Sequence, residues 1–377
     1  MMRFTKRIPL STPTMHGEEM QFVQEAFDKN WIAPLGFNCD GFEKEMSEYL
    51  AGDKEQHCLA LCSGTAAIHL AIKLAGVKQG DTVFCSDTTF AATVNPVSYE
   101  GAKQVFIDSE YETWNMDPVA LEKAFLKYPD TKVVALAHLY GSPAKMDEIL
   151  AVCEKYGAIV IEDAAEALSA TYKGRQCGTF GKYNIVSFNG NKIITSSGGG
   201  MLITEDKAAR DKALFWATQA REQAPHYQHE EIGYNYRMSN VVAGIGRGQL
   251  LHVDEHRAAK EKIYKRFKDG LKDLPITMNP FAAESTPNFW LSCMLIDEGV
   301  DVSPMDVIKR LEEANVEARP IWKPMHMQPV FKDNDFISVG DKSVGEDIFN
   351  RGLCLPSDIK MTAEEQNAVI EIIKSCF

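Results

Sequence analysis

Between residues 57 and 204 the chain alternates short apolar runs with segments of helical periodicity. The apolar runs are nearly continuous, which is typical of strands that are covered on both faces. They predict seven strands, at 57–61, 82–85, 104–107, 132–137, 158–161, 184–188 and 201–204. Helices are predicted between several of them, at 66–75, 118–128 and 145–156. Because strands and helices alternate, we expect an α/β fold with a mostly parallel, seven-stranded sheet layered by helices.

The pattern changes near residue 250. Residues 239–274 are rich in Ala, Lys, Glu and Arg, and they predict one long helix. After it, the pattern predicts a strand at 288–296, a helix at 304–315, a Pro-rich loop at 320–329 and a last helix at 362–375. We therefore expect a large domain over residues 1–250 and a smaller C-terminal α+β domain over 251–377.

Charge and cysteine usage narrow the class of protein. The 377 residues include 40 Lys and Arg against 53 Asp and Glu, a net charge of −13. A chain this acidic has no overall attraction to nucleic acid or anionic lipid, so we expect neither as a partner. No apolar run approaches the roughly 18 residues of a membrane span. Nine cysteines without a Cys-x-x-Cys pair argue against a disulfide framework and favour the reducing cytoplasm.

The nine histidines are scattered along the chain. His252 and His256 share a helical face at i, i+4 spacing, but no acidic or thiol ligand stands at a fixed spacing beside them. We therefore predict no metal site and interpret the pair as part of a solvated helix face.

Two strand ends carry groups that suit ligand binding. The first predicted strand leads through Ser63, Gly64 and Thr65 into a helix. Free N–H groups at a helix N-terminus bind anions, although Ser or Thr before a helix is also a common N-cap. The fifth predicted strand leads into Asp163. Ligands of open α/β sheets lie at the carboxyl ends of strands, so Asp163 either faces such a crevice or caps a helix.

A third segment places Lys192 between two apolar stretches, among Ser, Asn and Gly residues and ahead of Gly198-Gly199-Gly200. Most lysines are solvated surface groups. A buried lysine, however, loses its charge readily and becomes a nucleophile that forms a Schiff base. The three glycines fit either a tight passage beside a ligand or a flexible loop.

Together the three segments favour one cofactor. A phosphate cradle, a carboxylate at a strand end and a lysine in a crevice are the groups that pyridoxal phosphate requires. The carboxylate keeps the pyridine nitrogen protonated, which makes the ring an electron sink. The lysine holds the cofactor covalently and then moves protons.

From about Trp31 to the C-terminus the sequence also resembles the DegT/DnrJ/StrS family of pyridoxal-phosphate-dependent nucleotide-sugar aminotransferases. The resemblance implies the aspartate-aminotransferase fold, which is fold type I of the enzymes that use this cofactor. It rests on five motifs: Ser63-Gly64-Thr65-Ala66, Thr88-Thr89-Phe90-Ala91-Ala92-Thr93, Glu162-Asp163-Ala164-Ala165-Glu166-Ala167, Ser187-Phe188-Asn189-Gly190-Asn191-Lys192 and Gly233-Tyr234-Asn235-Tyr236-Arg237-Met238-Ser239.

The resemblance implies catalytic roles for Lys192 and Asp163. Lys192 would form the Schiff base, Asp163 would pair with the pyridine nitrogen, and Phe90 would stack on the ring. Glu166 stands near the expected phenolic oxygen, where many relatives have Gln, and Glu also occurs there in relatives that act on UDP-linked amino sugars. A carboxylate at that position needs a proton, on the ring oxygen or on the acid itself, to make the hydrogen bond.

The same resemblance implies how the phosphate is held. Gly64, Thr65 and Ser187 would bind it within one subunit, and Asn235 would reach it from the second subunit of a homodimer with shared active sites.

The segment 319–329 is the candidate substrate wall. Arg319 and Lys323 suit a diphosphate, with His326 beside them, and Trp322 can cover a sugar or a base. A Pro-rich connector with incidental charges is the alternative. In the family, the run Trp-Lys-Pro-Met-His is typical of members that aminate carbon 4 of UDP-linked 4-keto-6-deoxy-N-acetylhexosamines, as in bacillosamine formation.

The resemblance therefore implies a homodimeric aminotransferase that alternates between pyridoxal phosphate and pyridoxamine phosphate and takes its amino group from glutamate. The predicted acceptor is a UDP-linked 4-keto-6-deoxy-N-acetylhexosamine. Two alternatives stay open at this point: a GDP-linked or dTDP-linked ketosugar as acceptor, or a non-catalytic regulator that binds the cofactor. An intact Lys192 and Asp163 argue against the regulator.

Overall fold

The computed structural model describes residues 3–377, so the first two residues of the predicted large domain lie outside the described part. Over these residues the strands are β1 (His57–Leu61), β2 (Thr82–Ser86), β3 (Lys103–Ile107), β4 (Val133–Ala137), β5 (Ile159–Asp163), β6 (Thr171–Tyr172), β7 (Arg175–Gln176), β8 (Tyr183–Ser187), β9 (Gly200–Thr204), β10 (Ile276–Met278), β11 (Ser285–Thr286), β12 (Cys293–Ile296), β13 (Arg319–Pro320), β14 (Asp335–Ile337) and β15 (Gly352–Cys354).

The α-helices over the same residues are α1 (Glu18–Asp28), α2 (Phe37–Leu50), α3 (Gly64–Leu74), α4 (Asn95–Tyr99), α5 (Pro118–Lys127), α6 (Met146–Tyr156), α7 (Lys207–Ala217), α8 (Asn240–Leu250), α9 (Val253–Leu271), α10 (Pro304–Glu313), α11 (Val344–Arg351) and α12 (Ala363–Lys374). None of the helices within residues 3–377 is both long enough and apolar enough to span a bilayer.

The large sheet has the strand order β1-β9-β8-β5-β4-β2-β3-β14. All seven predicted strands belong to it, and β9 alone among its strands runs opposite to the others. The α/β fold with a mostly parallel sheet is therefore confirmed. The sheet differs from the prediction in having an eighth strand, because β14 pairs in parallel with β3.

Both faces of this sheet are covered, which explains the continuous apolar runs. In β4, Val133 and Ala135 face a core that includes α3 and α7, while Val134 and Leu136 face a core that includes α5 and α6. β1 alternates in the same way, with Leu59 on the first core and its neighbours on a third core beside α2. A strand that buries both faces has no polar position to alternate with.

A second, antiparallel sheet, β10-β12-β15-β13, lies in the C-terminal part of the chain. Its core also receives side chains from α9, α10 and α12, and from Ile8 at the other end of the chain. Ile8 forms a parallel bridge with Val316. The division at residue 250 stays a prediction, and the chain crosses it at Ile8 and again at β14.

The single long helix predicted over 239–274 is wrong. The helix breaks between α8 and α9, at Leu251 and His252. The two halves pack on different cores. α8 approaches α1 so closely that a Cβ on Gly248 would lie 2.6 Å from the backbone nitrogen of Glu19, whereas α9 packs against α12. One straight helix cannot serve both cores.

The strand predicted over 288–296 is shorter than expected, because only β12 is a strand. The preceding residues are held by Asn288. Its amide nitrogen donates to the carbonyls of Glu166 and Leu168 at 2.8 and 2.9 Å. Its backbone N–H donates to Gly141 at 3.2 Å. These hydrogen bonds take the place of the backbone hydrogen bonds between paired strands, and they hold the segment against the large domain. The Pro-rich loop at 320–329 contains the second residue of β13 and one short 3-10 turn, Met325–Met327, and its last residue begins a second, Pro329–Phe331.

Candidate active site

One cavity of about 360 Å³ lies where the parallel strands of the large sheet end. Residues that follow β1, β2, β4, β5 and β8 all border it, because the carboxyl ends of parallel strands meet at one edge of a sheet. Eight predicted site residues line it: Gly64, Thr65, Phe90, Asp163, Glu166, Ser187, Lys192 and Trp322.

Three other predicted residues lie outside the cavity lining. Asn235 is exposed on the surface of the chain. Arg319 is exposed and pairs with Glu317 at 2.7 Å. Lys323 is half-buried and directly follows Trp322. Of the predicted substrate wall, only Trp322 therefore reaches the cavity.

His326, the last predicted residue, anchors its loop to the large sheet and does not line the cavity. Its Nδ1 lies 2.7 Å from Oδ2 of Asp87, and its backbone N–H donates to Oδ1 of the same carboxylate at 2.8 Å. Burial opposes a charge on His326, but the hydrogen bond and charge of Asp87 raise its pKa. The ring also stacks on Phe336 at 4.0 Å between centroids. This contact fixes the loop that carries Trp322.

The N-terminus of α3 forms the anion-binding corner of the cavity. The Ser63 hydroxyl accepts from the Ala66 N–H at 3.1 Å, so it is an N-cap. The N–H groups of Gly64 and Thr65 precede the first intrahelical donor and have no acceptor among the described residues. A Cβ on Gly200 would lie 2.3 Å from the Gly64 nitrogen. Glycine at 200 is therefore required for β9 to pass this corner.

Asp163 ends β5 and is buried in the cavity wall. Its Oδ2 accepts from the Thr93 hydroxyl at 2.6 Å, and its Oδ1 accepts from the Ala165 N–H at 3.0 Å. Burial raises the pKa of Asp163, and these two hydrogen bonds partly offset the increase. A cationic ring nitrogen opposite the carboxylate would favour its charged form.

Lys192 reaches the cavity from the segment after β8. Its side chain is 11% exposed, and its Nζ lies 3.5 Å from Oε1 of Glu166. The same Nζ lies 4.2 Å from the centroid of the Trp290 ring. The indole Nε1–H of Trp290 donates to the carbonyl of Asn191 at 2.7 Å. Trp290 thus contacts both the lysine side chain and the backbone that carries it.

Glu166 is held by Tyr140. The Tyr140 N–H donates to Oε2 of Glu166 at 2.8 Å, and the Tyr140 hydroxyl accepts from the Trp322 N–H at 2.8 Å. Tyr140 adopts a left-handed conformation with φ 52°, which costs on the order of 1–3 kcal/mol for a residue other than glycine. Burial raises the pKa of Glu166, and Lys192 lowers it by a smaller amount.

Tyr140 and Trp290 were not predicted from the sequence. Each lies far along the chain from Lys192, and neither stands in a motif with a spacing that marks chemistry. Trp290 follows Asn288 within an apolar run that resembles a strand, so its sequence context indicates burial and nothing more.

These groups fit pyridoxal phosphate. Two free backbone N–H groups and the hydroxyls of Thr65 and Ser187 suit a phosphate, the oriented carboxylate of Asp163 suits a protonated ring nitrogen, and Lys192 suits a covalent link. The fold and the cavity together define an enzyme of the pyridoxal-phosphate-dependent class with the aspartate-aminotransferase fold.

Residues 13–374 match the DegT/DnrJ/EryC1/StrS aminotransferase family, and the chain belongs to this family. It is 51% identical to EpsN of Bacillus subtilis (strain 168), provisionally named a pyridoxal phosphate-dependent aminotransferase, over 99% of this chain and 96% of that protein. It is 36% identical to a GDP-perosamine synthase of Caulobacter vibrioides, over 97% of this chain and 96% of that protein. The enzyme is thus a pyridoxal-phosphate-dependent sugar aminotransferase, and the non-catalytic alternative is dismissed.

Solved structures agree on the fold. A DegT DnrJ EryC1 StrS aminotransferase from Brucella abortus superposes with a TM-score of 0.86 at 25% identity, over 95% of each chain.

Proposed function

We propose that this aminotransferase transfers an amino group from glutamate to carbon 4 of a UDP-linked 4-keto-6-deoxy-N-acetylhexosamine, and so forms a UDP-4-amino sugar for glycan biosynthesis. The observation that carries the proposal is the position of Trp322. It begins the run Trp-Lys-Pro-Met-His and lines the same cavity as Lys192. The loop whose sequence is typical of UDP-sugar aminotransferases therefore borders the reactive lysine.

The cofactor, when bound, supplies an electron sink for the carbon that gains or loses the amino group. Asp163 would hold a negative charge against the ring nitrogen, and Thr93 and Ala165 keep its oxygens in place. Lys192 would hold the cofactor through Nζ and, once displaced by the incoming amino group, would carry the proton that the reacting carbon exchanges. Oε1 of Glu166, 3.5 Å from that nitrogen, is placed to accept or return a proton.

The sugar would enter beside Phe90 and Trp322, whose ring centroids lie 5.5 Å apart at the cavity. The indole N–H of Trp322 is buried and donates to no described residue, so the Trp322 ring would have to turn before this donor could reach a polar group of the sugar. Arg319 precedes Trp322 in the sequence and Lys323 follows it, and both side chains suit the diphosphate. Arg319 must leave Glu317 to do so, but such exposed ion pairs contribute only about 0–1 kcal/mol.

A GDP-linked 4-ketosugar is the second candidate, because the chain is 36% identical to a GDP-perosamine synthase over nearly its whole length. The two candidates differ in the base and in the N-acetyl group, and the chemistry at carbon 4 is the same. Both use the cavity residues named above.

A panel of UDP-, GDP- and dTDP-linked 4-ketosugars separates the candidates. The purified enzyme is incubated with each sugar and glutamate, and the amino product is detected by mass spectrometry. We expect the highest kcat/KM with the UDP-linked N-acetyl sugar. Faster turnover of the GDP compound would replace the first candidate by the second.

We further propose that the active enzyme is a homodimer in which Asn235 completes the partner's cavity. Asn235 is exposed and lies outside the cavity of its own chain, which suits a role toward a second copy.

A further inference from the structure

Three histidines gather outside the active site, where the N-terminal segment meets the start of α9. The His16 and His252 rings stack with centroids 3.7 Å apart and planes 7° apart. Nε2 of His16 lies 2.7 Å from Nε2 of His256. The sequence indicates only the pair His252 and His256, because His16 is distant along the chain and is brought beside them by the fold.

Two carboxylates flank this cluster. Oε2 of Glu255 lies 3.1 Å from Nδ1 of His252, and Oε2 of Glu18 lies 3.3 Å from its Nε2. One ligand atom from each of His16, His252 and Glu255 lies within 4.8 Å of the other two. Two imidazoles and a carboxylate form a common ligand set for transition metals.

The outer hydrogen bonds suit metal ligands. Nδ1 of His256 lies 2.8 Å from the carbonyl of Ile193, so it must donate, and its Nε2 is left as an acceptor. Nε2–H of His16 therefore donates to His256, which leaves Nδ1 of His16 with a free lone pair. Metal-bound imidazoles usually hold their second nitrogen in this way, by a hydrogen bond that fixes the ring. Glu18 can serve His252 likewise.

We propose that His16, His252 and Glu255 bind one divalent transition-metal ion of the Zn²⁺ class, with His256 and Glu18 as outer partners. Imidazole ligands favour Zn²⁺, Ni²⁺ or Cu²⁺ over Mg²⁺ and Ca²⁺. The ion would lie at the edge of the stacked rings of His16 and His252. Because the ring planes are only 7° apart, one ring must turn out of the stack for both lone pairs to point at the ion. Solvent completes the coordination, since Glu255 is exposed.

A second group, His138, Glu162 and Cys177, is buried and lacks the same opportunity. His138 already accepts from the Ala144 N–H through Nδ1 and contacts Glu162 through Nε2. Glu162 also accepts from three backbone N–H groups, those of Gly178, Phe180 and Gly181. A metal there would have to displace several buried hydrogen bonds.

The position of the metal site gives it a structural consequence. Nδ1 of His256 donates to the carbonyl of Ile193, the residue after Lys192. The backbone N–H of His16 donates to the Glu19 carboxylate at the start of α1. An ion at His16 and His252 therefore links the N-terminal segment, α9 and the backbone next to the catalytic lysine.

Zn²⁺ binding to the full-length, tag-free enzyme loaded with pyridoxal phosphate tests the proposal. The protein is dialysed against chelator and then titrated with Zn²⁺ alone in a calorimeter. We expect one ion per chain, lost in His16→Gln, His252→Gln and Glu255→Gln. His256→Gln should keep the stoichiometry and weaken binding about 10–100-fold, as outer partners do.

Two variants are the matched controls. The first combines His226→Gln with His229→Gln, at two exposed histidines outside the cluster, and the second is Cys62→Ser, at an exposed thiol. Each control should still bind one ion. Circular dichroism verifies folding, and Glu255→Gln changes an exposed side chain, 68% accessible, so it should fold even where the histidine variants do not. Wild-type enzyme that takes up no Zn²⁺, or a folded Glu255→Gln variant that binds as tightly as wild type, overturns the proposal.

Discussion

Trp290 contacts Lys192 in two ways. Its ring lies 4.2 Å from the lysine Nζ, and its Nε1–H donates to the carbonyl of the preceding residue at 2.7 Å. The carbonyl of Trp290 in turn accepts from the buried ammonium of Lys260 at 3.1 Å. Lys192, the proposed catalytic lysine, is therefore positioned by a tryptophan from the C-terminal part of the chain, and through it by α9.

Trp290→Phe is expected to slow both half-reactions several-fold. The variant keeps a ring beside Lys192, but it loses the N–H bond, which costs about 1 kcal/mol, and phenylalanine is the weaker partner for a cation. Both half-reactions should slow because Lys192 serves both. Stopped-flow measurement of each half-reaction provides the check.

Trp322→Phe is the control for this prediction. It also changes a cavity tryptophan, but one without a described contact to Lys192. Only its sugar half-reaction should slow. If Trp290→Phe impaired the sugar half-reaction alone, Trp290 would act on the substrate and not on the lysine.

Lys192→Ala is expected to bind pyridoxal phosphate without a covalent link and to lose turnover on the order of 10²–10⁴-fold or more, since both the link and the proton carrier disappear. Borohydride reduction followed by mass spectrometry should label Lys192 in the wild type and no residue in the variant. The thermal midpoint of the cofactor-free variant should stay near that of the wild type. A fully active alanine variant would refute the assignment.

The substitution Glu166→Gln tests how burial affects the protonation of the Glu166 carboxyl group. Burial raises the pKa of Glu166 in the folded, cofactor-free protein. The carboxyl group therefore binds its proton more tightly in the folded chain than in the unfolded chain, where the pKa is about 4.3. Its contribution to stability is complete below that value and is lost as the pH rises through the folded pKa.

The glutamine variant cannot ionise, and its oxygen still accepts from the Tyr140 N–H. We therefore expect the free energy of unfolding of the variant, minus that of the wild type, to be larger at pH 7 than at pH 4. Each unit by which the pKa is raised contributes about 1.4 kcal/mol to this change. Urea titration at the two pH values measures it. A difference that shrinks at pH 7 would mean that the ion pair with Lys192 outweighs burial.

The sequence predicted the large sheet well because each strand buries both faces and appears as a continuous apolar run. β14 was missed, since three residues that begin with an exposed Asp335 leave no such run. Lys192 and Asp163 were predicted to lie at one site because each stands after a predicted strand in a recognisable motif, and both line the cavity. Tyr140 and Trp290 were not predicted, because their roles arise from contacts between segments that are distant along the chain.

Asn235 leads to a test of the dimer. If it completes the partner's cavity, mixing Lys192→Ala chains with Asn235→Ala chains creates some cavities with both residues intact. We expect such mixtures to regain part of the wild-type activity, while each variant alone stays impaired. Mixtures that remain as poor as both parents would place Asn235 in its own subunit or outside the reaction.

Lys323→Ala separates the substrate wall from the cofactor site. An enzyme with a net charge of −13 must supply positive groups locally to hold a doubly negative diphosphate, and Lys323 directly follows the cavity residue Trp322. Loss of one charge-assisted contact costs on the order of 1.5–3 kcal/mol, so the KM for the sugar nucleotide should rise about ten- to hundredfold. The half-reaction with glutamate should stay nearly unchanged, as should both half-reactions in Lys332→Ala, an exposed lysine nearby. Equal damage to both half-reactions in Lys323→Ala would instead assign this lysine to the cofactor site or to the fold.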